Sequence, residues 1–143
     1  MKSVAFLLFL LSSIVSKVGA QELLHSVYMQ AIESEQVCDS LLKMTADIDL
    51  EQKPLLFAYH GAALMLKAKH RINPFKKYAF FTEGKEVLEL AIAANPNHIE
   101  MRVLRYTLQK EVPKFLEYYK NIEEDRQIIF ATEKGINIYN KFK

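Results

Sequence analysis

His98, Arg102, Arg105 and Gln109 follow one another at four-, three- and four-residue intervals, which places them on one strip of a helix whose other positions are mostly apolar. An arginine guanidinium presents a planar fork of donors suited to carboxylates and other anions, so one reading of the strip is a groove for an anion or a carboxylate-bearing peptide. The other reading is an internal ion-pair network with Glu100, Glu123, Glu124 or Asp125. Glu123-Glu124-Asp125 also has the composition of an acid/base site, and with Arg102 or Arg105 it would make a small hydrolase. Acids just after Asn121 are equally what the positive end of a helix attracts.

The other reactive side chains form no motif. His25, His60, His70 and His98 have no partner four residues away and no cysteine close in sequence, so neither a metal site nor a cofactor is expected. There is no glycine-rich phosphate loop and no Gly-x-Ser-x-Gly elbow. Cys38 is the single cysteine, which excludes an internal disulfide. It reads as a small buried hydrophobe, with an intermolecular bridge as the alternative. Tyr59, Tyr78, Tyr106, Tyr118 and Tyr119 suit either a groove lining or a half-buried core.

Met1-Lys2, the apolar run from Val4 to Leu11, broken by Ser12 and Ser13 before Ile14 and Val15, and the small residues of Val18-Gly19-Ala20 stand in the order of a secretory leader. A cut between Ala20 and Gln21 is expected, giving a signal peptide over 1–20 and one all-helical domain over 21–143, exported to a periplasm or the exterior. The run is shorter than the ~20 residues of a spanning helix, although an uncleaved anchor is the alternative. No later run is long enough to span a membrane. Lys2 and Lys17 are two of nineteen basic residues, so seventeen would face seventeen acids after cleavage. That balance lacks the cationic surplus a nucleic-acid partner requires.

The positioning elements are helices. Leu24, Val27, Tyr28, Ala31 and Ile32 share a face of a helix over Glu22 to Ser34, and Val37 to Met44 makes a shorter one. Thr45 to Lys53 is acidic and without periodicity, and reads as a loop or a fraying helix end. Leu55 to Ala68 is apolar nearly all round and must be covered on both sides, which makes it the central helix. Asn73-Pro74 is a capping residue with proline at the first helical position, opening a helix to about Ala94 with Phe75, Tyr78, Phe81, Leu88 and Ile92 as its stripe. Asn97 with Glu100, and Asn121 with Glu124, have capping-box spacing for two further helices. Gly135 is placed to close the last of them.

Gly61 and Gly84 lie within strongly helical segments, where each costs about 1 kcal/mol relative to alanine, so a packing gain should compensate. Folding the two helices back about Ile72-Asn73 sets the glycines opposite each other and lets the backbones approach. Gly61, Gly84, Ala91 and Pro96 together resemble the small-residue and terminating positions of a tetratricopeptide-type hairpin, lengthened by about 11 residues between the two small positions.

Tyr59-His60-Gly61-Ala62, Asn73-Pro74, Gly84-Lys85, Asn95-Pro96-Asn97, Arg102, Leu104-Arg105, Gln109, Pro113 and Phe115-Leu116 are similar to those of a group of short exported bacterial proteins, whose members usually carry glycine at the position of Glu117. The resemblance implies an all-α fold: a lengthened antiparallel hairpin flanked by shorter helices in a right-handed array. It implies no activity. Since one hairpin buries its faces poorly alone, Leu24 to Met44 and Ile99 to Phe130 are expected to cap it. The function expected is an exported module binding a protein or peptide through the His98/Arg102/Arg105/Gln109 strip. The hydrolase is one alternative, and self-association through Tyr/Phe surface or Cys38 is the other.

Overall fold

The long helical patterns of the sequence become an all-α arrangement in the computed structural model, which describes residues 19–143. Helix α1 covers 19–33 of the described residues, followed by α2 (Glu35–Thr45), α3 (Pro54–Lys69), α4 (Pro74–Ala94) and α5 (Ile99–Glu111). A 3-10 turn (Lys114–Leu116) leads to α6 (Ile122–Phe130) and α7 (Glu133–Lys141). The expected leader lies, apart from Gly19 and Ala20 at the start of α1, outside the described residues.

Local chemistry sets the boundaries. The Ser34 hydroxyl accepts from the Val37 amide at 3.3 Å and starts α2. Asn73 accepts from the amides of Phe75 and Lys76 at 3.0 and 3.1 Å, with Pro74 at the first helical position of α4. Two starts differ from the sequence pattern: Asn121 precedes α6 without its side chain capping it, and α5 is preceded by His98 rather than Asn97, with no side-chain cap. The Glu100 carboxylate that would have completed that box is taken by Tyr59 and Gln21.

Helices α3 and α4 form the most extensive interface, an antiparallel hairpin. Gly61 and Gly84 touch across it. A Cβ on Gly61 would fall 2.6 Å from the Leu88 amide nitrogen and 2.7 Å from the Gly84 carbonyl oxygen, and one on Gly84 would fall 2.5 Å from the Gly61 carbonyl oxygen. Backbone thus packs on backbone, which accounts for two glycines in otherwise good helices.

The main core gathers Leu24, Tyr28 and Ala31 of α1, Cys38 and Leu41 of α2, the nearly all-round apolar surface of α3, the inner stripe of α4, and Met101, Leu104 and Leu108 of α5. Ala91 lies in this core with no exposed surface. The opposite side of α5, Val103 and Tyr106, packs with Ile129 of α6 in a second cluster, flanked by Ile138 and Tyr139 of α7. Helix α5 is therefore covered on both sides, as α3 is.

Two other expectations are corrected. Gly135 does not terminate a helix: it sits in the first turn of α7, where the Thr132 hydroxyl accepts its amide at 3.1 Å. An added Cβ there would run into the Ile129 carbonyl, so this glycine permits α7 to fold closely back on α6. The stripe of α4 begins at Phe81, because Phe75 and Tyr78 are 85% and 61% exposed. Tyr118 packs edge-on against Phe81 at 6.0 Å between centroids, and every residue from Ile72 to Ala79 is exposed.

Candidate functional site

Arg102 and Arg105 project from α5 toward the side where α6 begins, and the acids at the start of α6 meet them. Arg102 donates from Nη1 to Glu124 at 2.6 Å and to Asp125 at 2.9 Å, and from Nε to the Pro96 carbonyl at 2.8 Å. Arg105 makes a two-pronged contact with Asp125, from Nε and Nη2 at 2.7 Å each, and its Nη1 reaches Glu89 of α4 at 2.8 Å. Tyr118 completes the chain by donating its hydroxyl to the other Glu89 oxygen at 2.6 Å, while the Lys85 ammonium lies 5.2 Å from the Tyr118 ring centre.

The network is interior. Asp125 has no exposed surface, and Arg105 and Arg102 retain 3% and 7%. Burial alone would lower both guanidinium pKa values, but the bonds to Asp125 and its acidic neighbours outweigh it and raise them. Taking three charges out of water is costly, and only the dense hydrogen bonding between them makes it tolerable. The same bonding occupies all three guanidinium nitrogens of Arg105 and two of the three of Arg102.

Of the sequence partners, Asp125 and Glu124 bond to the arginines, whereas Glu100 and Glu123 bond elsewhere. Glu89 and Tyr118 were missed. Glu89 lies on a helix whose register against α5 is fixed only by tertiary packing, and Tyr118 reaches it from an irregular segment. Gln109 is buried, with its Nε2 3.4 Å from Asn121 Oδ1 and its Oε1 without a partner. His98 sits apart at the head of α5, its Nδ1 also unpartnered, and burial lowers its pKa. Arg102, Arg105 and Gln109 thus form an internal connection between α4, α5 and the start of α6 rather than an open groove, and His98 stands outside it.

The acids are poorly suited to proton transfer. Glu123 is exposed and held down to about 2 by hydrogen bonds from Arg126 and Gln127. Glu124 is lowered by its bond from Arg102. General acid/base catalysis works best with a group poised near the working pH, and neither is.

A second buried polar group centres on Glu100, which accepts the Tyr59 hydroxyl at 2.6 Å and the Gln21 amide. It ties the start of α1 and the middle of α3 to α5. Cys38 is fully buried, its thiol 3.4 Å from the Ala63 carbonyl, and burial pushes its pKa up to about 11. An open depression of about 460 Å³ lies between the start of α1 and α7, lined by Glu22, Lys134 and Lys141 among others. Among the described residues no group of three or more His, Cys, Asp or Glu is placed to hold a metal ion, and no helix is long and apolar enough to cross a membrane.

Large apolar side chains stand in solvent at the turn between α3 and α4. Ile72 is 99% exposed and Phe75 follows it at the head of α4 with Tyr78 one turn on. Among the candidate tyrosines, Tyr59, Tyr106 and Tyr118 are buried, while Tyr78 and Tyr119 face outward. No protein-family model matches the chain, and no curated protein or solved structure matches it either.

Proposed function

We propose that the protein is a non-catalytic interaction module that works outside the cytoplasm, built on a lengthened tetratricopeptide-like hairpin, with the α3–α4 turn as its contact surface. The observation that carries this reading is the contrast between the two ends of the chemistry. Arg102, Arg105 and Asp125 are spent on one another inside the molecule, whereas Ile72, Phe75 and Tyr78 lie unburied at the turn. Exposed clusters of large apolar residues on an otherwise well-packed protein mark contact sites. Export is supported by the order of charge, apolar run and small residues in 1–20.

The test places a photo-crosslinking amino acid at Phe75, and at exposed Asn140 as a control, in the protein within its native cells. Adducts at Phe75 and none at Asn140 are expected, with Gln21 as the first residue of the recovered chain. Equal or absent labelling at the two positions would remove the contact surface, and a chain still starting at Met1 would remove the cleaved leader.

A further inference from the structure

Helix α4 begins with cations where a helix end is already positive. Its first turn holds Lys76 and Lys77 and no acid, opposite to the preference of a helix N-terminus. The sequence has no acid anywhere from Gln52 to Thr82. The acids of the α1–α2 junction, beside the end of α3, are occupied: Glu35 pairs with Lys67 and Arg71, Asp39 with Lys67, and Glu33 lies 3.9 Å from Lys69. Lys76 and Lys77 form no ion pair among the described residues. Beside them stand Ile72, Phe75 and Tyr78, the last two on one helical face.

The end of α3 that leads into the turn is tethered. His70 Nε2 lies 3.0 Å from the Ala31 carbonyl and Lys69 Nζ donates to the Ile32 carbonyl at 3.2 Å, so the hairpin end is fastened to the end of α1. From these placements we infer that the α3–α4 turn docks on an anionic phospholipid surface, with Ile72 and Phe75 entering the headgroup boundary, Tyr78 at its level, and Lys76 and Lys77 on the lipid phosphates. The inference rests on the contact surface proposed above and names its partner.

Charge and shape select this occupant. A second copy docking through the same patch would bring four lysines together. A turn whose leading side chains are almost wholly exposed offers no groove for a peptide, but it suits a soft layer that closes around it. Aromatic rings and lysines at the boundary, with aliphatic side chains below, are the arrangement of interfacial binding. Lysines near an anionic leaflet add attraction that salt screens.

The chain has no tryptophan, so Phe75→Trp supplies a single reporter in the protein as purified, with its N-terminus determined. Its emission should shift to the blue on adding phosphatidylglycerol-containing vesicles and stay unchanged with phosphatidylcholine alone. Binding, read for every variant by co-sedimentation with the vesicles, should weaken at least about tenfold in Ile72→Ser/Phe75→Ser and in Lys76→Glu/Lys77→Glu, and also with added salt, while the helical signal and melting stay as in wild type. All variants share one N-terminus, so a retained leader cannot produce the difference. Equal response to both vesicles, or variants that bind as wild type does, would overturn the inference. Crosslinks from Phe75 to protein alone, or a Phe75-dependent dimer in sedimentation, would overturn the lipid partner yet leave the contact surface standing. No crosslinks at all would remove both.

Discussion

At the scale of single residues, Asp125 is the most consequential side chain. It is fully buried and answers both Arg102 and Arg105, so removing it leaves two guanidiniums facing each other with little access to water. Breaking a buried ion pair from one side costs about 3–5 kcal/mol. Asp125→Ala is expected to lose stability in that range in urea unfolding, far more than Glu123→Ala, whose pair with Arg126 lies in solvent. Glu117 predicts the opposite sign. It is the one non-glycine residue with positive φ among the described residues, at φ 52°, ψ 32°. Glycine adopts that conformation without the steric cost, so Glu117→Gly should raise stability by about 0.5–1 kcal/mol, read as a higher Tm. A large Tm loss in that variant would mean that the Glu117 side chain contributes more than its backbone costs.

Among the elements, the glycines decide which helices lie close. Gly61→Ala removes a helix-propensity cost of about 1 kcal/mol but sets a Cβ against the α4 backbone, which a flexible side chain cannot relieve. A net loss of about 1–3 kcal/mol is expected by thermal melting, and Gly135→Ala should act likewise through α6. An unchanged Tm in Gly61→Ala would mean that the hairpin opens without penalty. The facing glycines were legible because their positions are symmetric about Asn73-Pro74, a turn with its own capping chemistry. Gly135 was misread since a glycine near a helix end signals termination equally well, and only the position of Ile129 tells otherwise. Phe75 and Tyr78 were misread for a related reason: periodicity identifies a face but not how far along it the neighbouring segments reach, and Tyr118 reaches only to Phe81. The arginine strip and its α6 acids were visible as spacing. Its inward direction depended on Glu89 and Tyr118, whose approach no local pattern encodes.

Across the whole molecule, pH should act first through histidine. Burial lowers the pKa of His60 and of His98 below the ordinary 6.5. His60 Nδ1 lies 2.8 Å from the Thr45 hydroxyl, which is itself 2.8 Å from the Leu41 carbonyl. Between each lowered pKa and 6.5 the unfolded chain binds more protons than the folded one, so stability rises with pH across that window and is lost on acidification through it. Urea midpoints should hold steady above neutrality and fall below pH about 6.5, with a shallower fall in His60→Gln/His98→Gln. Glu124, lowered by Arg102, adds a loss only once the pH drops below its ordinary 4.5. A midpoint that is flat from neutrality down to that value would contradict the assignment.

Helix α5 lends one flank to the main core and the other to the cluster with α6 and α7, while Phe142 beyond α7 packs edge-on against His25 of α1 at 4.4 Å between centroids. Neither cluster can therefore come apart and leave α5 fully sheltered. In scanning calorimetry this sharing should appear as a single heat-absorption peak whose van't Hoff and calorimetric enthalpies agree, with no shoulder from early release of the carboxyl-terminal helices.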